Sequence, residues 1–339
     1  MGAVIARRTA ALALCALLFL PLAFASCDNT PSRKYRVGVI GFSGDRLNSE
    51  RQSLVEYGAR RIEAELGAEV DVLEPGGGRT SELFSEGEGA YDMVVSMGVS
   101  SSREMLTFKP GDTGVQAVAL DFTSPQPVQG EGSLTLVRYR VEEGAYLCGF
   151  LAGWLTGRKD HPLANPRPDV AFIGAADDPL LPYYDIGFSK GVREALSKPG
   201  IYRYTVTAST DSKSARAYAE HAARSGVDII FCSPGAFDSE VLKVAQEKNL
   251  LVILVGADRH QESPEHVLTS LVLRDDNALF KAVSEAMEGR LKPGQWEWGG
   301  KENIWSLAPF HGHDAYIRKE LKEALQEQEE GLGSVDFSS

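Results

Sequence analysis

Val141-Glu-Glu-Gly-Ala-Tyr-Leu-Cys-Gly-Phe-Leu-Ala-Gly-Trp-Leu-Thr156 is followed by Asp169-Val-Ala-Phe-Ile-Gly174 and then by Gly187-Phe-Ser-Lys-Gly-Val-Arg-Glu-Ala-Leu196. These three segments read as helix, strand and helix. The first is apolar on nearly every face after Gly144, the pattern of a fully buried or membrane-embedded helix. It falls short of the ~20 residues that span a bilayer, so burial is expected. Gly149, Ala152 and Gly153 leave room for a close neighbour. The second is a short, continuous apolar run of the kind found in a parallel strand covered on both faces. A polar, proline-containing loop, Ala175–Tyr184, separates it from the third.

The same alternation runs outward in both directions. Upstream, strands are expected at Tyr35–Gly41, Glu69–Leu73, Tyr91–Gly98, Val115–Asp121 and Ser133–Arg138. A helix beginning near Ser49 carries Leu54, Val55, Ala59, Ile62 and Leu66 at helical spacing. A shorter helix runs from Ser101 to Phe108. Downstream, strands at Tyr202–Ala208, Val227–Cys232 and Leu250–Val255 alternate with helices at Ser212–Ser225 and Glu240–Asn249. Strands and helices in this rhythm build parallel sheets covered on both faces. The expected fold is α/β, with two doubly wound, Rossmann-like lobes. Residues 35–139 plus 266–330 form lobe one, on the expectation that His266–Leu273 returns to it, and residues 140–265 form lobe two. Trp296–Leu307 reads as a hairpin, Asp314–Glu330 as a solvated amphipathic helix, and residues 331–339 as a loose tail.

A chain of 339 residues suits two domains, and 43% hydrophobic with 24% charged residues is a globular balance. The net charge of −12 argues against a nucleic-acid partner, which would need clustered lysine and arginine. Arg7-Arg8 followed by an apolar run to Phe24 fits a secretory signal peptide over residues 1–26. Phe24-Ala-Ser-Cys27 resembles a lipoprotein box, with Cys27 lipidated and residues 27–34 a tether; plain secretory cleavage is the alternative. Losing Arg7 and Arg8 takes the mature chain to about −14. Cys148 and Cys232 read as small buried hydrophobes, with a disulfide between them left open.

In open α/β sheets, ligands sit beyond the carboxyl ends of the strands. The loops Gly41–Asn48, Gly98–Ser100, Asp121–Phe122, Asp177–Tyr184, Ser233–Phe237 and Gly256–His260 are therefore the candidate walls of a cleft between lobes. Asp45, Asp121 and Asp258 are placed to accept paired hydroxyls, or else to cap helices. Tyr183, Tyr184 and Phe237 offer flat rings for stacking, or packing between loops. Arg274 either meets an acidic ligand group or pairs with Asp275 or Asp276. No catalytic constellation is present. Gly38, Gly41 and Gly44 do not make a dinucleotide fingerprint, although Glu74 imitates its acidic residue. Gly76-Gly-Gly78 lacks the lysine of a phosphate loop, and no nucleophile elbow occurs. His311, His313 and Asp314 are a metal-like cluster of a spacing common by chance. No cofactor and no metal are expected.

Glu142-Glu-Gly-Ala-Tyr-Leu-Cys-Gly-Phe-Leu-Ala-Gly153 is similar to the E-E-G-x-x-A-G pattern of the basic membrane protein family. Val170-Ala-Phe-Ile-Gly174, Gly187-Phe188 with Gly191, Asp211 with Ala215, Gly226–Phe231 and Leu307-Ala-Pro-Phe310 extend the resemblance over most of Tyr35–Phe310. It implies a type I periplasmic binding protein architecture, and its characterised members include purine nucleoside receptor lipoproteins of ABC importers. The ligand positions depart from the pattern. Where the family has D-x-G-x-x-D-x-S-F-N, this chain has Gly41-Phe-Ser-Gly-Asp-Arg-Leu-Asn-Ser-Glu50. Asp45 and Asn48 keep polar groups, Phe42 offers a ring from another part of the loop, and Glu50 and Arg51 replace the Phe-Asn pair. Val255-Gly-Ala-Asp258 keeps one of two aspartates, Leu273 with Arg274 replaces a lysine, and Pro182 replaces an asparagine. Phe42, Asp45, Asn48, Gly98, Asp121, Tyr183, Tyr184, Phe237, Asp258 and Arg274 are thus the candidate ligand-binding residues.

The expected function is solute capture without catalysis. The expected protein is lipid-anchored in the cell membrane and faces the extracytoplasmic space. Its partners are a small polar solute such as a purine nucleoside, an ABC permease and its ATPase, and no nucleic acid. The alternative is a surface or periplasmic interaction protein, an adhesin that kept the fold and lost the pocket.

Overall fold

The computed structural model describes residues 33–42, 46–74, 83, 90–107, 114–123, 134–158 and 160–338. The leader with Cys27, the glycine run at 76–78, Asp45 and the side chain of Asn48 lie outside the described residues. Among the described residues, the first sheet is built from β1 (Arg36–Ile40), β2 (Glu69–Leu73), β3 (Met93–Met97), β4 (Gln116–Leu120), β5 (Leu134–Tyr139) and β11 (Gly294–Trp298), in the order β11-β5-β4-β3-β1-β2. The second contains β6 (Asp169–Ala175), β7 (Gly200–Val206), β8 (Ile229–Cys232), β9 (Leu251–Gly256), β10 (Val267–Leu273) and β12 (Trp305–Leu307), in the order β12-β10-β9-β8-β6-β7. All pairings are parallel except β10 with β12. Helices α1 (Arg46–Leu66), α2 (Gly98–Thr107) and α7 (Asp275–Met287) pack on the first sheet or on each other. Helices α3 (Val141–Leu155), α4 (Leu181–Ala195), α5 (Ser212–Ser225), α6 (Asp238–Lys248) and α8 (Lys319–Gly331) go with the second. The result is the expected two-lobed α/β fold, inside one compact unit from Lys34 to Ser339.

The opening stretch behaves as its composition demands. Every residue of α3 is buried except Trp154, and no described helix is long and apolar enough to cross a membrane. Helices α3 and α4 lie against each other through glycines from both sides. A Cβ on Gly149 would stand 2.1 Å from the Phe188 carbonyl, and one on Gly191 would stand 1.9 Å from that of Tyr146. Beneath them Phe172, Phe188 and Phe231 stack, with the Phe188 and Phe231 rings 5.0 Å apart. Cys148 and Cys232 are free and buried.

Several boundaries differ from the sequence reading. Strand β10 does not return to lobe one. It pairs in parallel with β9, from Val267 beside Val252 to Val272 beside Gly256. Only a short helical turn at His260–Glu262 separates the two strands, so there is no long helix to mark β10 as the next strand of the series. Trp296–Leu307 is not a hairpin, because β11 joins β5 in the first sheet while β12 joins β10 in the second. Helix α8 is not merely solvated; it buries Leu321 and Leu325 and packs on α3. The terminal residues are not loose, since Leu332 is buried and the Phe337 ring meets Tyr146 edge-on at 6.0 Å. Helix α1 begins at Arg46, ahead of Ser49, and α4 begins at Leu181, so Pro182, Tyr183 and Tyr184 occupy its first turn.

The chain therefore passes between the sheets three times: at Arg140, at Arg274 and between Gly299 and Ile304. These crossings are tied together. The Arg140 N–H donates to the Trp298 carbonyl (2.8 Å), and the Arg274 N–H donates to that of Ile304 (2.8 Å). Glu143 Oε2 accepts from the Gly300 N–H (2.8 Å) and the Trp305 indole (3.2 Å). Glu142 takes Arg138 in a two-bond fork at 2.8 and 2.9 Å. The Glu-Glu-Gly that opens α3 thus braces the place where the lobes join.

Candidate functional site

The carboxyl ends of the first-sheet strands converge on one buried ion cluster. Arg51, on the second turn of α1, directs its guanidinium at Asp275, which opens α7. Nε meets Oδ2 at 2.7 Å and Nη2 meets Oδ1 at 2.7 Å. The same Nη2 donates to Asp121 Oδ2 at 2.8 Å, just past β4. The Phe42 ring lies 4.3 Å from the guanidinium carbon, a cation–π contact. The Tyr139 hydroxyl donates to Asp275 Oδ1 at 3.3 Å. Asp275 is wholly buried, and Arg51 and Asp121 are 6% and 5% exposed.

Local backbone explains how these groups are placed. Asp121 sits at φ +56°, in the left-handed region that aspartate and asparagine visit more readily than bulkier residues. Gly98, at φ +76°, is required where it stands, because a Cβ there would lie 2.8 Å from Phe42 Cε1. Asp275 lies in the first turn of α7, where the helix dipole favours a carboxylate. Burial works against the charge on Arg51, but Asp275 and Asp121 outweigh it and hold the guanidinium charged. Burial pushes the Asp275 carboxyl up, and Arg51 draws it back.

The second lobe supplies the facing wall. Tyr184 is 1% exposed and its ring packs toward Phe231. Among the described residues its hydroxyl has no hydrogen-bond partner, and neither do Ser233 Oγ, beyond β8, or Asp121 Oδ1. Burial raises the Tyr184 phenol well above its usual range, and Asp121 from across the lobes and Asp178 from its own lobe add to this. Asp178, past β6, is pushed up to about 7 chiefly by burial, although its Oδ1 accepts the Leu180 N–H at 2.8 Å. Buried polar groups are nearly always hydrogen-bonded. Here two strand-end loops and the first turn of α4, drawn from both lobes, carry buried polar atoms with spare capacity.

The structure thus brings together Phe42, Gly98, Asp121 and Tyr184 from the sequence-derived set. It assigns other places to the remainder. Tyr183 lies under the Arg138 guanidinium, 4.1 Å from its carbon, at the join of the lobes. Phe237 is fully buried in the core on the opposite face of the second sheet. Arg274 pairs with Asp276 at 2.8 and 3.0 Å. Asp258 bonds His311 Nε2 at 2.8 Å. Arg51, Tyr139, Asp178, Ser233 and Asp275 were not singled out for this place from sequence. One signal was present: Arg51 and Glu50 interrupt the polar loop at the point where a stacking pair was expected.

Asp258 belongs instead to a group of histidines at the edge of the second sheet, where His161, His260, His266, His311 and His313 gather, five of the six in the chain. His161 Nδ1 accepts the Leu163 N–H at 3.1 Å, so its Nε2 donates to His313 Nδ1 at 2.8 Å. His260 stacks on His311 with ring centroids 4.1 Å apart. Asp314 pairs with Lys322 at 2.7 Å rather than with the histidines. Burial, then the neighbouring His313, lowers His161 to about 4, and burial also lowers His313 and His266. These imidazoles are neutral in the fold. An unfolded histidine takes a proton near pH 6.5, so the stability they contribute is complete above that pH and is lost as pH falls toward about 4. Thermal melts across pH 7 to 4 are expected to show Tm dropping through this window. The drop should be shallower in His161→Gln; an unchanged slope in that variant would count against the assignment.

With the site described, comparison with known proteins identifies the family. The family model described as Bmp, ABC transporter substrate-binding protein PnrA-like, matches residues 113–331. The chain belongs to this family. Basic membrane protein B of Borreliella afzelii is 27% identical over 176 residues, 51% of this chain and 48% of that one. The chain thus spans about half the length of the curated relatives it first matches. Two solved structures share the fold. One is an ABC transporter solute-binding protein of Aeropyrum pernix K1, with TM-score 0.70 and 17% identity over 88% of this chain and 91% of that one. The other is a transcriptional activator of the comK gene from Bacillus halodurans, with TM-score 0.69 and 16% identity over 90% of this chain and 100% of that one. The family description is that of a substrate-binding protein.

Proposed function

We propose that the chain is a lipid-anchored, extracytoplasmic solute-binding protein of an ABC importer. It closes its two lobes on a small polar solute, with a purine nucleoside as the first candidate, and hands it to a permease driven by an ATPase. The observation that carries this reading is the set of buried, unpartnered atoms Asp121 Oδ1, Tyr184 Oη and Ser233 Oγ. Asp121 belongs to the Arg51 cluster, Tyr184 stands in the first turn of α4 within electrostatic reach of it, and Ser233 follows β8 in the same second sheet; family membership gives such atoms a purpose. A solute that bonds both walls stabilises the closed arrangement by its differential affinity for it. An interaction protein that had lost its pocket would be expected to satisfy these groups internally. Anchoring through Cys27 draws support from its lipoprotein-like box and from relatives named basic membrane protein.

A thermal-shift screen of ligand-stripped protein against nucleosides, nucleobases and sugars is expected to raise Tm with one class. Silence across the panel would favour the interaction protein. Cys27→Ala is expected to move the protein from the membrane to the soluble fraction; unchanged fractionation would remove the anchor.

A further inference from the structure

We propose that the cleft selects a small solute bearing a positive charge, an ammonium or guanidinium group received by Asp121 Oδ1, with Tyr184 Oη and Ser233 Oγ bonding its neighbouring polar groups. This rests on the solute-binding reading above and narrows its polar solute to a cationic class, ahead of the neutral purine nucleoside named there.

The argument is one of charge and hydrogen-bond type. Arg51 carries one positive charge, and Asp121 and Asp275 carry two negative ones, so the buried cluster keeps an excess of one negative charge. Among the described residues, the other nearby cations are committed elsewhere: Arg138 to Glu142 and Glu297, Arg140 to Glu143, and Arg274 to Asp276. An uncompensated charge in a buried site is costly. A ligand cation cancels it, a neutral ligand leaves it, and an anion compounds it. Hydrogen-bond type agrees with this, because an ionised carboxylate oxygen only accepts and therefore calls for a donor. The tyrosine and serine hydroxyls can donate or accept, so they restrict the rest of the solute little. Arg51 covers a face of Phe42, so that ring is already engaged by a cation of the protein itself.

The test uses ligand-stripped full chain in thermal-shift and calorimetric titrations. Agmatine, putrescine and glucosamine are the cationic probes, inosine and glucose the neutral ones, and adenosine monophosphate the anionic one. At least one cationic probe is expected to raise Tm and to bind more tightly than every neutral or anionic probe. Asp121→Asn suits the left-handed backbone at that position and keeps an amide oxygen for Arg51, while removing the excess charge. It is expected to weaken the cationic probe about tenfold or more. Ser233→Ala provides a second variant that leaves the ion cluster intact and is expected to weaken the same probe. If a neutral or anionic probe binds best, the charge selection is wrong and the solute-binding reading stands. If no probe of any charge shifts the melt, both fall.

Discussion

Replacing Arg51 with alanine is expected to destabilise the protein by about 3–5 kcal/mol, the scale seen when one partner of a buried ion pair is removed. That corresponds to a fall in Tm of roughly 10 °C for a chain of this size. The guanidinium makes two bonds to Asp275 and one to Asp121, and both carboxylates are almost entirely buried. Without it, two negative charges face each other with only Tyr139 to bond one of them. Lost contact with Phe42 adds to the effect, but a cation–π pair of about 0.5–2 kcal/mol is the smaller part. The charge account has a pH signature. In the variant, burial and the neighbouring Asp121 act on Asp275 with only the Tyr139 hydroxyl against them, and its carboxyl rises further above the unfolded value. A carboxyl raised in the fold adds stability at low pH and loses it as pH rises through the raised value. Urea unfolding should therefore show the deficit shrinking between pH 8 and pH 5. Arg51→Met combined with Asp275→Asn should recover part of the loss by removing one stranded charge. A deficit below about 1 kcal/mol, or one indifferent to pH, would show that the cluster contributes little.

The fold was legible because its signals are local. A continuous apolar strand such as Asp169–Gly174 and a nearly all-apolar helix such as α3 can be satisfied only inside a covered parallel sheet. The returns between lobes were not legible, since β10 and β11 differ from their neighbours by which sheet they join, and pairing leaves no periodicity of its own. The site was read in part for a related reason. Asp121, Gly98, Phe42 and Tyr184 follow strands or open helices, and the rule that ligands sit at carboxyl strand ends finds such residues. Arg51 and Asp275 lie on helices, 224 positions apart, and only the docking of α1 on α7 makes them partners. Asp258 satisfies the same strand-end rule and yet bonds His311 in the histidine group. Phe237 is an aromatic loop residue by sequence and a core residue in space. Sequence locates loops well; it does not say which way a side chain turns within them.

Gly191→Ala carries the second large expected effect, and it tests the stretch from which the fold was read. Alanine is ordinarily worth about 1 kcal/mol over glycine inside a helix, so propensity alone predicts stabilisation. The contact predicts the reverse. An added Cβ would lie 1.9 Å from the Tyr146 carbonyl oxygen and 2.7 Å from the Phe150 nitrogen. Both are backbone atoms of α3, and no side chain can swing aside to relieve the clash. The helices must separate by roughly 1 Å or more, in a core that packs like a crystal. Overpacking of that kind costs about 1–3 kcal/mol and at times more, enough to overcome the helix preference. Separation would also displace Tyr184, two turns earlier on α4, and with it one wall of the cleft. Gly191→Ala is therefore expected to lower both the midpoint of urea unfolding and the affinity for whatever solute the screen identifies. Gly331→Ala, at the end of α8 where nothing lies within 4 Å of the added carbon, provides the comparison and should be neutral to slightly stabilising. If Gly191→Ala proves as stable as the parent, α3 and α4 are not in backbone contact, and the paired glycines of this stretch would need another explanation.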